Sequence, residues 1–120
     1  MLNESGEESM EAPKSLKAQV LEAVALVNYQ AGSIVSREII KKGGGTVTLF
    51  AFDQDQGLSE HTAPFDALVN VLEGTVDVTV SGQTNHLQAG QMIIMPANEP
   101  HALKAVSKFK MMLTMIKAQP

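Results

Sequence analysis

The sequence predicts an all-β fold, a sandwich or barrel of short strands. Two observations carry that expectation. Apolar and β-branched runs of five to nine residues recur from residue 31 onward. Gly, Pro, Asn and Asp gather in the gaps between them, as turns require. At 120 residues and 44% hydrophobic content, the chain supports one core.

The elements follow in order. Residues 1–13 are acidic, low in hydrophobicity and closed by Pro13, and read as a flexible tail. Residues 14–30 form a separate helical or extended segment. Leu16, Val20, Ala23, Val24 and Val27 fit a helical stripe that Ser15 would cap. A short helix near 15–22, followed by extended chain, is the expectation.

Residues 31–117 make up the barrel. Ser33–Lys41 is a β-branched strand, and Lys42–Gly45 is a loop. Thr46–Phe52 (T-V-T-L-F-A-F) has the residue types of a buried strand, and Asp53–Gly57 is a turn. Ala67–Leu72 is a strand closed by Glu73-Gly74. Thr75–Val80 (T-V-D-V-T-V) alternates residue by residue, so one face is buried. Ser81-Gly82 then makes a hairpin turn into Gln83–Leu87. Gln91–Met95 is a strand, Pro96–Pro100 a loop, and His101–Val106 and Phe109–Lys117 finish the chain. Asn98 is expected at positive φ, which Asn tolerates better than most residues.

Composition excludes several functions. A net charge of −4 with scattered Lys and Arg lacks the basic face that nucleic acid requires. One Tyr and no Trp leave little for base stacking. The absence of Cys removes disulfides, thiolate metal sites and a Cys nucleophile. The N-terminus has no apolar stretch of the secretory kind, and no window suits a membrane helix; a cytoplasmic protein is expected. Gly43-Gly44-Gly45 lacks the Lys-Ser/Thr that completes a phosphate loop. Ser59 and Thr62 beside His61 lack a nucleophile elbow.

Two single histidines stand in turn-rich stretches: His61 in Gly57–Gly74 (G-L-S-E-H-T-A-P-F-D-A-L-V-N-V-L-E-G) and His101 in Gly90–His101 (G-Q-M-I-I-M-P-A-N-E-P-H). The second stretch is similar to the second motif of the cupin superfamily, G-x5-P-x-G-x2-H-x3-N. The first is similar to the first cupin motif, G-x5-H-x-H-x3,4-E-x6-G. The resemblance runs from about residue 30 to 117. It implies a double-stranded β-helix (jelly-roll) barrel, small and single-domain.

The resemblance also implies where a site would lie. Metal-holding cupins use two His and a Glu from the first motif and one His from the second. His61 and His101 occupy the outer two of these places, and Ala63 and Ala67 occupy the others. Two imidazoles alone leave a mid-row metal short of donors. A divalent transition metal (Fe, Mn, Ni or Zn) on His61 and His101 would therefore need water, substrate or a stray carboxylate. Asp66 should point away if position 67 points inward, and Glu60 is a weak alternative.

Val69 and Val71 share the parity of 67. Phe109, Met111, Leu113 and Met115 share one face of the last strand. The expected pocket is lined by His61, Ala63, Ala67, Val69, His101 and Met111: an apolar wall with two polar handles, as small-molecule sites have. His86, on a hairpin strand, is expected to be exposed. The function expected is binding of a small organic ligand. A metal-dependent oxygenase, isomerase or decarboxylase is the alternative, and protein association without a ligand a third. A homodimer is expected, because an open jelly roll has edges to cover; residues 20–40 are the segment expected to be exchanged.

Overall fold

Strict alternation in a sequence becomes register in a sheet. Residues 15–118 are described by this computed structural model, and they contain nine strands. β1 (Ile34–Lys42), β2 (Gly45–Phe52), β9 (Phe109–Lys117), β4 (Phe65–Glu73) and β7 (Met92–Met95) form a five-stranded sheet in that order. β3 (Gly57–His61), β8 (His101–Ala105), β5 (Thr75–Val80) and β6 (Gln83–Gln88) form a four-stranded sheet. All pairings are antiparallel. The chain passes repeatedly from one sheet to the other, which is the jelly-roll arrangement expected.

The interior is built by parity. Ala67, Val69 and Val71 of β4 face inward. So do Val76 and Val78 of β5, and Phe109, Met111 and Leu113 of β9. Phe52 stacks on Phe109 with ring centroids 4.7 Å apart. Burying such side chains stabilises by about 1.5–3 kcal/mol each. The Ser81-Gly82 turn has φ of 49° and 83°, the left-handed pair whose twist matches the flanking strands. Gly74, at φ 80°, closes β4 where a Cβ would stand 2.0 Å from the Lys108 carbonyl oxygen. Only glycine fits there.

A second cluster lies on the outer face of the five-stranded sheet. Leu49 and Ala51 of β2 point outward and are covered by Val27, with Ala23, Leu26 and Tyr29 packed around them. The Tyr29 hydroxyl donates to Glu73 Oε2 at 2.5 Å. The Lys110 ammonium donates to the Val24 carbonyl and lies 3.9 Å from the same Glu73 oxygen and 5.0 Å from the Tyr29 ring centroid. Burial and the Glu73 carboxylate together push the Tyr29 hydroxyl far above its ordinary pKa.

The helix expected near 15–22 does not form. Residues 15–22 are turn and irregular chain, and the sole helical element described is a 3-10 turn at Ala23–Ala25. Val20, part of the supposed stripe, is 95% exposed. The Ser15 hydroxyl accepts from the Lys17 amide at 3.1 Å, capping a turn and not a helix. A helix this short is marginal without a groove to fill. Here the outer sheet face is covered farther along the chain, by Val27 and its neighbours. The acidic tail, residues 1–13, lies outside the described residues.

Candidate functional site

One expected turn is a strand. Gly57–His61 pairs with β8, bringing Leu58 opposite Leu103 and His61 opposite His101. Three steps on β3 answer two on β8, so one residue is extra and the register shifts between Leu58 and His61. That bulge lies at Ser59-Glu60. Alternation alone would put Leu58 and His61 on opposite faces, but the inserted residue returns His61 to the face of Leu58 and His101. His101 shares parity with the buried Leu103 and Ala105 and is itself only 5% exposed. The ring of His61 lies at the exposed rim.

The two imidazoles meet. Their Nε2 atoms are 3.2 Å apart, and the rings stand edge to face at 72° with centroids 4.4 Å apart. His61 Nδ1 donates to the Ser59 carbonyl at 2.7 Å and His101 Nδ1 to the Glu99 carbonyl at 3.1 Å. A carbonyl oxygen only accepts, so each Nδ1 carries the proton. In the neutral pair both Nε2 lone pairs therefore point into one small space, where they repel unless a donor lies between them. Burial holds His101 below the usual histidine pKa. The neighbouring His61 pushes the same way, against the bond to Glu99.

Other predicted residues fall into place around this pair. Asp66 points outward as expected, and its Oδ1 accepts from the Ala97 amide at 2.9 Å. The Ala63 carbonyl accepts from the Asn98 amide at 2.8 Å, which ties the His61 loop to the Pro96–Pro100 loop. Asn98 has φ 65°, the left-handed conformation expected. Ala67 stands at the same end of the barrel, paired with Met95 and Met115. Val69 and Met111 have no appreciable exposure; they stand behind the mouth, not on its surface. His86 is exposed, as expected, with its Nδ1 bound to Asp77.

Among the described residues no three His, Cys, Asp or Glu side chains gather to hold a metal ion. The carboxylate of Asp66 is engaged by Ala97 and that of Glu99 by the Ser81 hydroxyl. The donor set is one ligand short: two imidazole nitrogens against the three protein ligands usual at catalytic zinc. It does not fit a metal enclosed by protein ligands alone.

The topology of the barrel and this histidine pair decide a family. The model of the cupin domain matches residues 42–117. This chain is a cupin. A conserved protein of unknown function from Streptococcus pyogenes is 32% identical, with 94% of this chain and 100% of that one covered and a TM-score of 0.82. A cupin 2 conserved barrel domain protein from Leptotrichia buccalis is 37% identical over 78% of this chain and 46% of that one, with a TM-score of 0.76. A cupin superfamily protein from Desulfitobacterium hafniense, at 22% identity, covers 89% of this chain and 99% of its own, with a TM-score of 0.81, and shares the fold. No curated protein matches this cupin.

Sequence reasoning did not find Thr46. It lies opposite Met115, which lies opposite Ala67, so these side chains share the inner face at the mouth. The signal was present in T-V-T-L-F-A-F, where Thr46, Thr48, Phe50 and Phe52 share parity.

Proposed function

We propose that this cupin binds a small organic ligand at the barrel mouth, held by His61 and His101. The observation that carries the reading is the pair of converging Nε2 atoms, 3.2 Å apart, with both Nδ1 atoms already committed to backbone carbonyls. A neutral pair of this kind accepts hydrogen bonds from a hydroxyl, amine or amide. Ala63 and Ala67 put only methyl groups at this end of the barrel, and Val69 and Met111 back the wall. The test is a fragment screen read by the histidine ring signals in NMR, repeated on His61→Ala/His101→Ala. Donor-bearing fragments are expected to shift both rings in the wild type and to lose binding in the variant. Fragments bound equally by both proteins overturn the reading.

A second reading has one observation in its favour. Two metal–nitrogen bonds of about 2.0 Å at a tetrahedral angle place their nitrogens roughly 3.3 Å apart, close to this spacing. His61 and His101 would then supply two ligands to Fe, Mn, Ni or Zn, and the bound molecule or water the rest. The chemistry so supplied is polarisation of an oxygen on that molecule. Stoichiometric metal in protein purified without an affinity tag, lost in the double variant, selects this reading over the first.

A homodimer accompanies either reading. Ile40, Met92, Ile94 and Ile116 are exposed on the outer face of the five-stranded sheet, beyond the part that Val27 covers. Apolar patches and open sheet edges of this sort are commonly covered by a partner. Light scattering at micromolar concentration is expected to give twice the chain mass; a monomer refutes the dimer.

A further inference from the structure

The Thr46 hydroxyl has neither solvent nor a hydrogen-bond partner among the described residues. A buried polar atom left so is costly, and proteins seldom leave one without a reason. Its position suggests the reason. β2 ends at Phe52, turns through residues 53–56 and returns as β3 in the opposite sheet. The start of β2 and the end of β3 therefore lie at one end of the barrel, with Thr46 on one wall and His61 on the other. Met115, Ala67 and Met95 continue the Thr46 row across its sheet. The row is pinned as well: a Cβ at Gly45 would stand 2.2 Å from the Met115 carbonyl oxygen, so β2 runs hard against β9 at this point.

We propose that Thr46 is the second anchor of the barrel-mouth site, and that the ligand is a short molecule with a polar group at each end. This rests on the ligand-binding reading above. The histidine Nε2 pair accepts from the ligand's head group. The Thr46 hydroxyl, which both donates and accepts, takes a hydroxyl or carbonyl at the tail. The carbon chain between them lies against Ala67 and the flexible thioethers of Met95 and Met115, which shift readily to admit it.

The experiment compares propane-1,3-diol with n-propanol, the same carbon chain with and without a hydroxyl at its far end. Both are titrated into wild type, Thr46→Val and Thr46→Ser while the His61 and His101 ring signals are followed. Wild type is expected to bind propane-1,3-diol about tenfold more tightly than n-propanol, the value of one good hydrogen bond. Thr46→Val should erase that preference and Thr46→Ser should keep it. Without any ligand, Thr46→Val should melt about 5 °C higher than wild type, because an unpaired hydroxyl is gone. An unchanged or lower melting temperature shows that the hydroxyl is already satisfied and overturns the proposal. Equal binding of the two alcohols overturns it too, while leaving the histidine site standing. Histidine signals that neither alcohol moves, but other donor fragments do, overturn the two-ended ligand. Signals that no fragment moves defeat the underlying site and this proposal together.

Discussion

Two polar clusters sit in this barrel, and they differ in how completely they are partnered. On the outer face, Tyr29, Glu73 and Lys110 satisfy one another and the Val24 carbonyl. At the mouth, His61 and His101 spend their Nδ1 protons on backbone and leave two Nε2 lone pairs facing each other. The first cluster is closed. It holds residues 23–29 against the sheet, with its hydroxyl, its ammonium and one carboxylate oxygen each engaged. The second is open, and its neutral form calls for a donor that none of the described residues supplies. Polar groups that complete one another serve the fold; polar groups left waiting mark a site.

That contrast has measurable edges. Lys110→Met should have the largest effect, because it strips a buried ammonium from the Val24 carbonyl and a neighbouring carboxylate. A loss of about 3 kcal/mol in urea unfolding is expected, with fragment binding at the mouth retained. If stability holds, the outer cluster is not a fastening. Acidification should come next. His101 is held below its unfolded pKa of about 6.5, so the unfolded chain takes up the proton more readily. Stability is therefore full above that value and falls as the pH drops through the depressed pKa. Melting curves of wild type and His101→Asn should converge in shape above pH of about 7 and part below it. A wild-type curve that stays flat under acid removes the argument that the mouth histidine is kept neutral. The smallest effect on folding belongs to His61→Ala. Its ring is exposed, so stability should stay within about 0.5 kcal/mol while ligand binding is lost. A large loss of stability would make the pair structural, like the outer cluster.

The fold was legible because alternation and turn chemistry agree at nearly every element. Thr75–Val80 and Phe109–Lys117 have the bounds that their patterns predicted, and Ser81-Gly82 adopts the left-handed pair that its residues suit. The two histidines and the outward turn of Asp66 were legible for the same reason. What escaped was whatever depended on a partner distant in sequence. Residues 15–22 carry part of a helical stripe, yet the sheet face is covered by Val27 and its neighbours in and just after the 3-10 turn, a choice made by packing. Gly57–His61 looked like a turn because its strand character comes from β8 and not from its own residues. Thr46 was visible only as one alternating position among several, until the register placed it beside Met115 with no hydrogen-bond partner among the described residues.

The bulge at Ser59-Glu60 has a consequence of its own. Because it sets which way His61 faces, the mouth depends on the bulge forming and not only on which residues stand there. Without the bulge, three regular steps from Leu58 would turn the imidazole to the outside and leave His101 alone in the interior, whereas removing one residue between Leu58 and His61 would leave two steps against two and keep the imidazole opposite His101. A single-codon deletion there therefore straightens the strand and spares the histidine pair, while a change that abolishes the bulge at its present length silences the site and spares the scaffold.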